Sequence, residues 1–167
     1  MSKIKITKKE QKMLERLIKR ILKEKKKEDL HRYDHGKEEE RWMTGLMGEL
    51  AVEKLTGITV IDWTAGPSIL YKAADLKKSG YNIGVKTIKK VHMFPVISRQ
   101  NKTPQIICVR DGDIIEVLGI ATADDLNTYQ DDSYIIDKHM LSRKTCFTGL
   151  QYLTDINNLK KYKINKH

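Results

Sequence analysis

Tyr81-Asn82-Ile83-Gly84-Val85-Lys86-Thr87-Ile88-Lys89-Lys90-Val91 is the stretch whose reading decides the fold. Apolar and polar residues alternate through much of it, which predicts a strand over residues 81–91. Just before it, Lys77-Lys78-Ser79-Gly80 predicts a turn, and residues 69–76 predict a strand that carries Asp75 near its end. Further back, Gly57 closes a helix predicted over residues 37–56, with Trp42, Leu46, Leu50 and Leu55 on its buried side. Gly45 and Gly48 within that helix each cost about 1 kcal/mol relative to Ala. Three residues apart, they permit a strand or ligand to approach closely, and Glu49 follows directly. A helical acid, a strand-end acid and a strand lysine are thereby placed to converge.

Outward from this segment, residues 58–63 read as a strand and residues 64–68 as a turn. Residues 104–110 and 113–121 read as two strands around Asp111-Gly112, a two-residue hairpin signal. Residues 122–126 predict a short helix or turn, 134–137 a strand, 149–159 a last helix, and 160–167 a frayed basic tail. At the other end, Thr7 and Glu10 form a capping box that opens a helix over residues 7–30. Met13, Leu14, Leu17, Ile18, Ile21 and Leu22 make one apolar stripe, which packs on the core or on another protomer. Lys12, Arg16, Lys19, Arg20 and Lys23 face away from it, and the run from Lys25 to Gly36 reads as a linker.

The order is helix, helix, several strands, then a mixed tail. It predicts an α+β (mixed α/β) fold with a central mixed β-sheet flanked by helices, not a doubly wound one. The expected organisation is a basic helix and linker over residues 1–36, a main domain over 37–160 and a tail over 161–167. No Gly-rich loop joins a strand to a helix, which excludes a P-loop or a Rossmann fingerprint.

The chain has 167 residues and a net charge of +10. Residues 1–30 carry 12 Lys and Arg against 5 Asp and Glu, +7 of that total, which leaves +3 for the other 137. A basic arm of this kind steers a polyanion, so nucleic acid is the expected partner. A lysine-rich surface without a partner is the competing explanation. No apolar run reaches the roughly 18 residues of a membrane span, and the charged opening lacks a signal-sequence core. The expectation is a cytoplasmic protein that engages no membrane. Cys108 and Cys146 have no metal-ligand spacing and read as reduced core residues.

Phosphodiester hydrolysis requires an activated water, stabilised phosphoryl oxygens and help for the leaving oxygen, all of which bound Mg²⁺ supplies. Mg²⁺ takes hard oxygen ligands, typically one or two carboxylates with water and substrate phosphate. Glu49 and Asp75 are the carboxylates this chain offers, and the Lys86 ammonium would polarise a phosphate or stabilise the attacking hydroxide.

Gly-x-x-Gly-Glu49 on a helix, then Asp75, then Val85-Lys86-Thr87 on a strand resembles the PD-(D/E)xK nuclease superfamily over about residues 41–91. That group includes restriction enzymes, phage exonucleases and archaeal-type Holliday junction resolvases. The resemblance implies a restriction-endonuclease-like core and a Mg²⁺-dependent deoxyribonuclease, with Mn²⁺ as a substitute. It makes Glu49 the helical acid, Asp75 the central metal ligand, Lys86 the catalytic lysine and the Val85 carbonyl a further metal ligand. A phage or mobile-element origin, duplex or branched DNA as substrate, and a homodimer making two cuts are further implications. Lys89, Lys90, Arg99 and Lys102 would line the cleft's exit and hold phosphates. Two positions depart from the pattern. Ala74 stands where Pro precedes the acid, and Gly84 stands where the second acid of the (D/E)xK triplet belongs.

Other readings of the same residues are simpler. Glu49 can pair with Lys54 or Lys86, Asp75 can end a strand, and Lys86 can point to solvent. If Gly84 removes the chemistry, the fold serves as an inactive nucleic-acid-binding or protein-interaction module. A third reading is a basic regulator that docks through its 13–22 stripe. His31 and His35, four apart, lack an evident third ligand and read as a surface pair. Asp124-Asp125 and Asp131-Asp132 read as a cap and a solvated loop.

Overall fold

The Thr7 hydroxyl accepts the Glu10 N–H at 3.1 Å, and the Glu10 carboxylate accepts the Thr7 N–H at 2.9 Å. This capping box opens α1 (Lys8–Lys27). The computed structural model describes residues 2–27, 35–64 and 75–165. The stripe of α1 is settled by packing: Leu14, Leu17, Ile18, Ile21 and Leu22 are buried in the chain's own core, and only Met13 stays exposed. Docking on a partner through this stripe is therefore overturned, because folding already removes it from water. A short strand missed by the sequence reading, β1 (Ser2–Lys5), precedes α1.

The second helix, α2 (His35–Thr56), contributes Leu46, Met47, Leu50, Ala51 and Val52 to the same core. Gly57 follows it with φ 75°, the left-handed conformation that ends helices and favours glycine. Next in the chain come β2 (Gly84–Lys89), β3 (Val96–Ser98), β4 (Gln105–Asp111) and β5 (Ile114–Ala121). A short helix α3 (Ala123–Thr128), capped by Thr122, leads into β6 (Gln130–Asp131) and later β7 (Lys144–Phe147).

Four strands form one sheet in the order β1-β5-β4-β2. β2 runs parallel to β4, and the other two pairings are antiparallel. The fold is therefore α+β with a mixed sheet, and β2 is an edge strand. The β4–β5 hairpin turns at Gly112 with φ 60°, as Asp111-Gly112 predicts. A second sheet, β3-β7-β6, carries a smaller core with Ile97, Ile107, Leu126 and Phe147. Cys108 and Cys146 are free and buried. Among the described residues no helix is long and apolar enough to cross a membrane.

Several expected elements are corrected. Residues 58–63 form no strand, because side chains take the backbone groups a ladder would use. Val60 N–H donates to Glu53, Ile58 N–H donates to Thr56, and the Thr59 carbonyl accepts from Ser79. The strand expected over 81–91 is confined to Gly84–Lys89, with a lone bridge from Tyr81 to Lys163. Residues 134–137 form no strand, since Asp131 and Asp137 cap the short 3₁₀ turns Asp132–Tyr134 and Lys138–Met140. The last helix is replaced by two 3₁₀ segments, Leu150–Tyr152 and Ile156–Tyr162. Thr154 separates them by exchanging both backbone hydrogen bonds with Ile120. The tail is not frayed through 164: Ile164 N–H donates to Gly80 and Asn82 N–H to Tyr162. Most of the strand expected over 69–76, the turn at 65–68, Ala74 and most of the 25–36 linker, including His31, lie outside the described residues; Asp75 and Leu76 form a turn.

Candidate metal centre at the edge of β2

Alternation along β2 sends its side chains to two faces. Val85 packs against the main core, and Thr87 meets Gly48 of α2. A Cβ added to Gly48 would fall 1.7 Å from the Thr87 hydroxyl oxygen. The glycine is therefore what lets α2 lie against β2 at that depth, one residue before Glu49. Farther along, the Arg110 guanidinium bonds Glu40 at 2.8 Å and Thr44 at 2.9 Å, and Lys89 pairs with Glu40 at 3.1 Å. These contacts fasten the start of α2 to the ends of β2 and β4. Burial raises the Glu40 carboxyl, but the two cations outweigh it and hold it below the usual carboxylate range.

Asp75 closes the free edge of β2. Its carboxylate accepts the Val85 N–H at 2.6 Å. Gly84 N–H donates to the Pro104 carbonyl and Lys90 N–H to Arg110, so even-numbered residues turn their backbone toward β4. Val85 turns its own N–H and carbonyl to the open edge, where Asp75 sits. The Val85 carbonyl thus opens on the same side as the acid.

Glu49 reaches Asp75 from α2. Burial, the Asp75 charge and the hydrogen bond between the two carboxyls hold Glu49 well above the usual carboxylate range, and Glu53 adds to it. Glu49 therefore holds its proton to higher pH than an ordinary carboxyl, hydrogen-bonded to Asp75. It does not pair with Lys54, which binds Glu10 at 2.8 Å instead. The two carboxyls are hard oxygen groups brought into contact with each other at this edge. Among the described residues no cluster of three or more His, Cys, Asp and Glu could hold a metal. The oxygen groups gathered at this edge are two carboxyls and a backbone carbonyl. That suits Mg²⁺ and does not suit an all-protein cage.

Lys86 projects from the opposite face to Val85, toward the second sheet. Burial and the Lys144 ammonium push its pKa down, while the Asp75 charge works the other way. It makes no hydrogen bond or ion pair among the described residues. Half-buried and without a hydrogen bond or ion pair among the described residues, the Lys86 ammonium is available to an anion.

The other expected phosphate contacts are dispersed. Lys89 is held by Glu40 and Lys90 by Asp111. Arg99 is drawn into the second sheet's surroundings, donating to the Leu141 carbonyl and to Asp132. Lys102 is exposed. Lys12, Arg16, Lys19 and Lys23 line the exposed face of α1, and Arg20 donates to the Trp63 carbonyl. Two residues near the centre escaped the sequence reading. Lys144 lies on β7, a strand that no period announced. Gln105 lies opposite Gly84 in the parallel ladder, a pairing that only register reveals. Compared with protein-family models, with curated proteins and with solved structures, the chain finds no match in any of the three.

Proposed function

We propose that the chain is a metal-dependent deoxyribonuclease of the PD-(D/E)xK type, with a restriction-endonuclease-like core. The observation that supports this best is the Glu49–Asp75 carboxyl pair, hydrogen-bonded together at the Val85 edge of β2 and within the field of Lys86. Glu49, Asp75 and the Val85 carbonyl would hold Mg²⁺ or Mn²⁺. Bound there, the ion would activate a water and neutralise charge on the phosphoryl oxygens. Lys86 stabilises the negative charge that grows as the phosphodiester is attacked, and its burial strengthens that effect relative to water. The exposed cations of α1 and Lys102 draw in the DNA backbone, whether duplex or branched. The small size favours recognition by shape, or a homodimer, over a long sequence readout.

A second reading, an inactive nuclease-fold module that binds nucleic acid, is favoured by one observation: Gly84 supplies no carboxylate. One experiment separates the two. Purified protein and Asp75→Ala are incubated with supercoiled, linear, single-stranded and four-way-junction DNA in Mg²⁺, Mn²⁺ or EDTA. Metal-dependent cutting by the wild type alone is the expected result. Salt-sensitive DNA binding without cutting in any metal would overturn the nuclease in favour of the binding module.

A further inference from the structure

Gly84 and Gln105 are direct partners in the β2–β4 ladder, so their side-chain positions share a face. A Cβ added to Gly84 would lie 2.5 Å from Gln105 Oε1 and 2.9 Å from Nε2. The Gln105 carboxamide therefore lies across the Gly84 Cα, in the volume where an acidic side chain at position 84 would begin. The next side chain on that face of β2 is Lys86. Among the described residues the carboxamide makes no hydrogen bond to the protein. Half-buried and unpaired among the described residues, the carboxamide is open to a ligand on that face of β2.

We propose that Gln105 supplies from β4 the oxygen that position 84 lacks on β2, completing with Glu49, Asp75 and the Val85 carbonyl the donor set for a divalent cation. This rests on the metal-dependent reading of the site. A carboxamide oxygen is a hard, neutral donor of the kind such cations accept. The set then holds two carboxylates against the dication's two charges, and Lys86 faces no third carboxylate that would neutralise it. Gly84 is small because the carboxamide needs its place, so the acid is not merely lost but exchanged for a group on the next strand.

The test is Mn²⁺ binding to the full chain without DNA, by calorimetry and by electron paramagnetic resonance, with thermal melts as the fold control. Wild type binds Mn²⁺, and Asp75→Ala does not. Gln105→Ala binds about 10-fold or more weakly, in the range of ligand-support losses, with an unchanged melt. Gln105→Glu binds more tightly. Gly84→Asp alone clashes with the carboxamide, whereas Gly84→Asp with Gln105→Gly restores binding. If Gln105→Ala and Gln105→Glu both bind like wild type while Asp75→Ala does not, Gln105 is only packing and the metal site stands without it. If the wild type binds no Mn²⁺, the metal reading itself fails and the role of Gln105 falls with it.

Discussion

The two faces of β2 are built to opposite rules. On one, Val85 and Thr87 press into α2 and the main core, where Gly48 leaves no room for even a methyl group. On the other, Gly84 and Lys86 look toward the second sheet, where an ammonium, a carboxamide and Lys144 gather half-buried. The contrast teaches how a short strand can carry chemistry. The packed face fixes the strand's position against α2, and with it the meeting of Glu49 and Asp75. The polar face can then hold groups that pack badly. A protein pays for such a face in stability, so substitutions on the two faces should separate stability from activity.

The sharpest way to break the contrast is Gly48→Val. A Cβ there lies 1.7 Å from Thr87 Oγ1, and the threonine is too short and too enclosed to move aside. Overpacking of this severity exceeds the usual 1–3 kcal/mol and is expected to cost about 4 kcal/mol or more, a large part of a domain's stability. Urea titration followed by circular dichroism would show it, and a wild-type midpoint would refute the close contact. On the opposite face, Lys86→Met should cut DNA cleavage by about 10²–10³-fold, the usual loss when one charge-stabilising group is removed. Its melting temperature should hold or rise, since a buried ammonium without a partner is replaced by an apolar chain of similar length. A Lys86→Met protein that melts well below wild type would make that lysine structural.

Both of those positions were legible in the sequence, unlike much of their surroundings. The glycine pair in α2, Glu49, Asp75 and Lys86 stand out because residue type and spacing carry the signal, and α1 and the β4–β5 hairpin announce themselves by stripe, cap and turn. The strand expected over 58–63 misled because its β-branched residues satisfy their backbone through Glu53, Thr56 and Ser79. The second sheet was illegible because β3, β6 and β7 have four residues or fewer, too short for any period. Gln105 was hidden for another reason. Its role follows from the register of a parallel ladder, which local pattern does not encode.

Glu49 lies where the two faces meet, and its proton offers a smaller test. Burial and Asp75 raise its folded-state pKa above the unfolded value. Below the ordinary carboxylate pKa both states hold the proton and its contribution to stability is complete. As pH rises toward the folded-state pKa, the unfolded chain has released the proton and the folded one still holds it, so stability falls. In EDTA, wild type should lose stability relative to Glu49→Gln as pH rises above the ordinary carboxylate range. The variant should be the more stable at pH 8 by about 2 kcal/mol, the order of a buried polar group poorly matched to its site. Parallel pH profiles for the two proteins would remove the shared proton.

Thr87→Val should have the smallest effect and sharpen the contrast most. The Thr87 hydroxyl is buried over Gly48, and its one hydrogen-bonding neighbour among the described residues is the Cys108 thiol, a weak partner that burial pushes up to about 12 and so keeps protonated. A buried hydroxyl paired only with a thiol bears part of the roughly 1–3 kcal/mol cost of an unsatisfied one, and a methyl in its place removes that cost. The methyl is bulkier than the oxygen and crowds the Gly48 backbone, which offsets part of the gain. The balance is expected near 1 kcal/mol in favour of the variant, a rise of about 2–4 °C in melting temperature for a chain this size. Metal binding and cleavage should not change, because this side chain faces α2 and not the polar space around Lys86. A Thr87→Val protein that melts at the wild-type temperature but cuts DNA more slowly would show that the packed face also takes part in the chemistry.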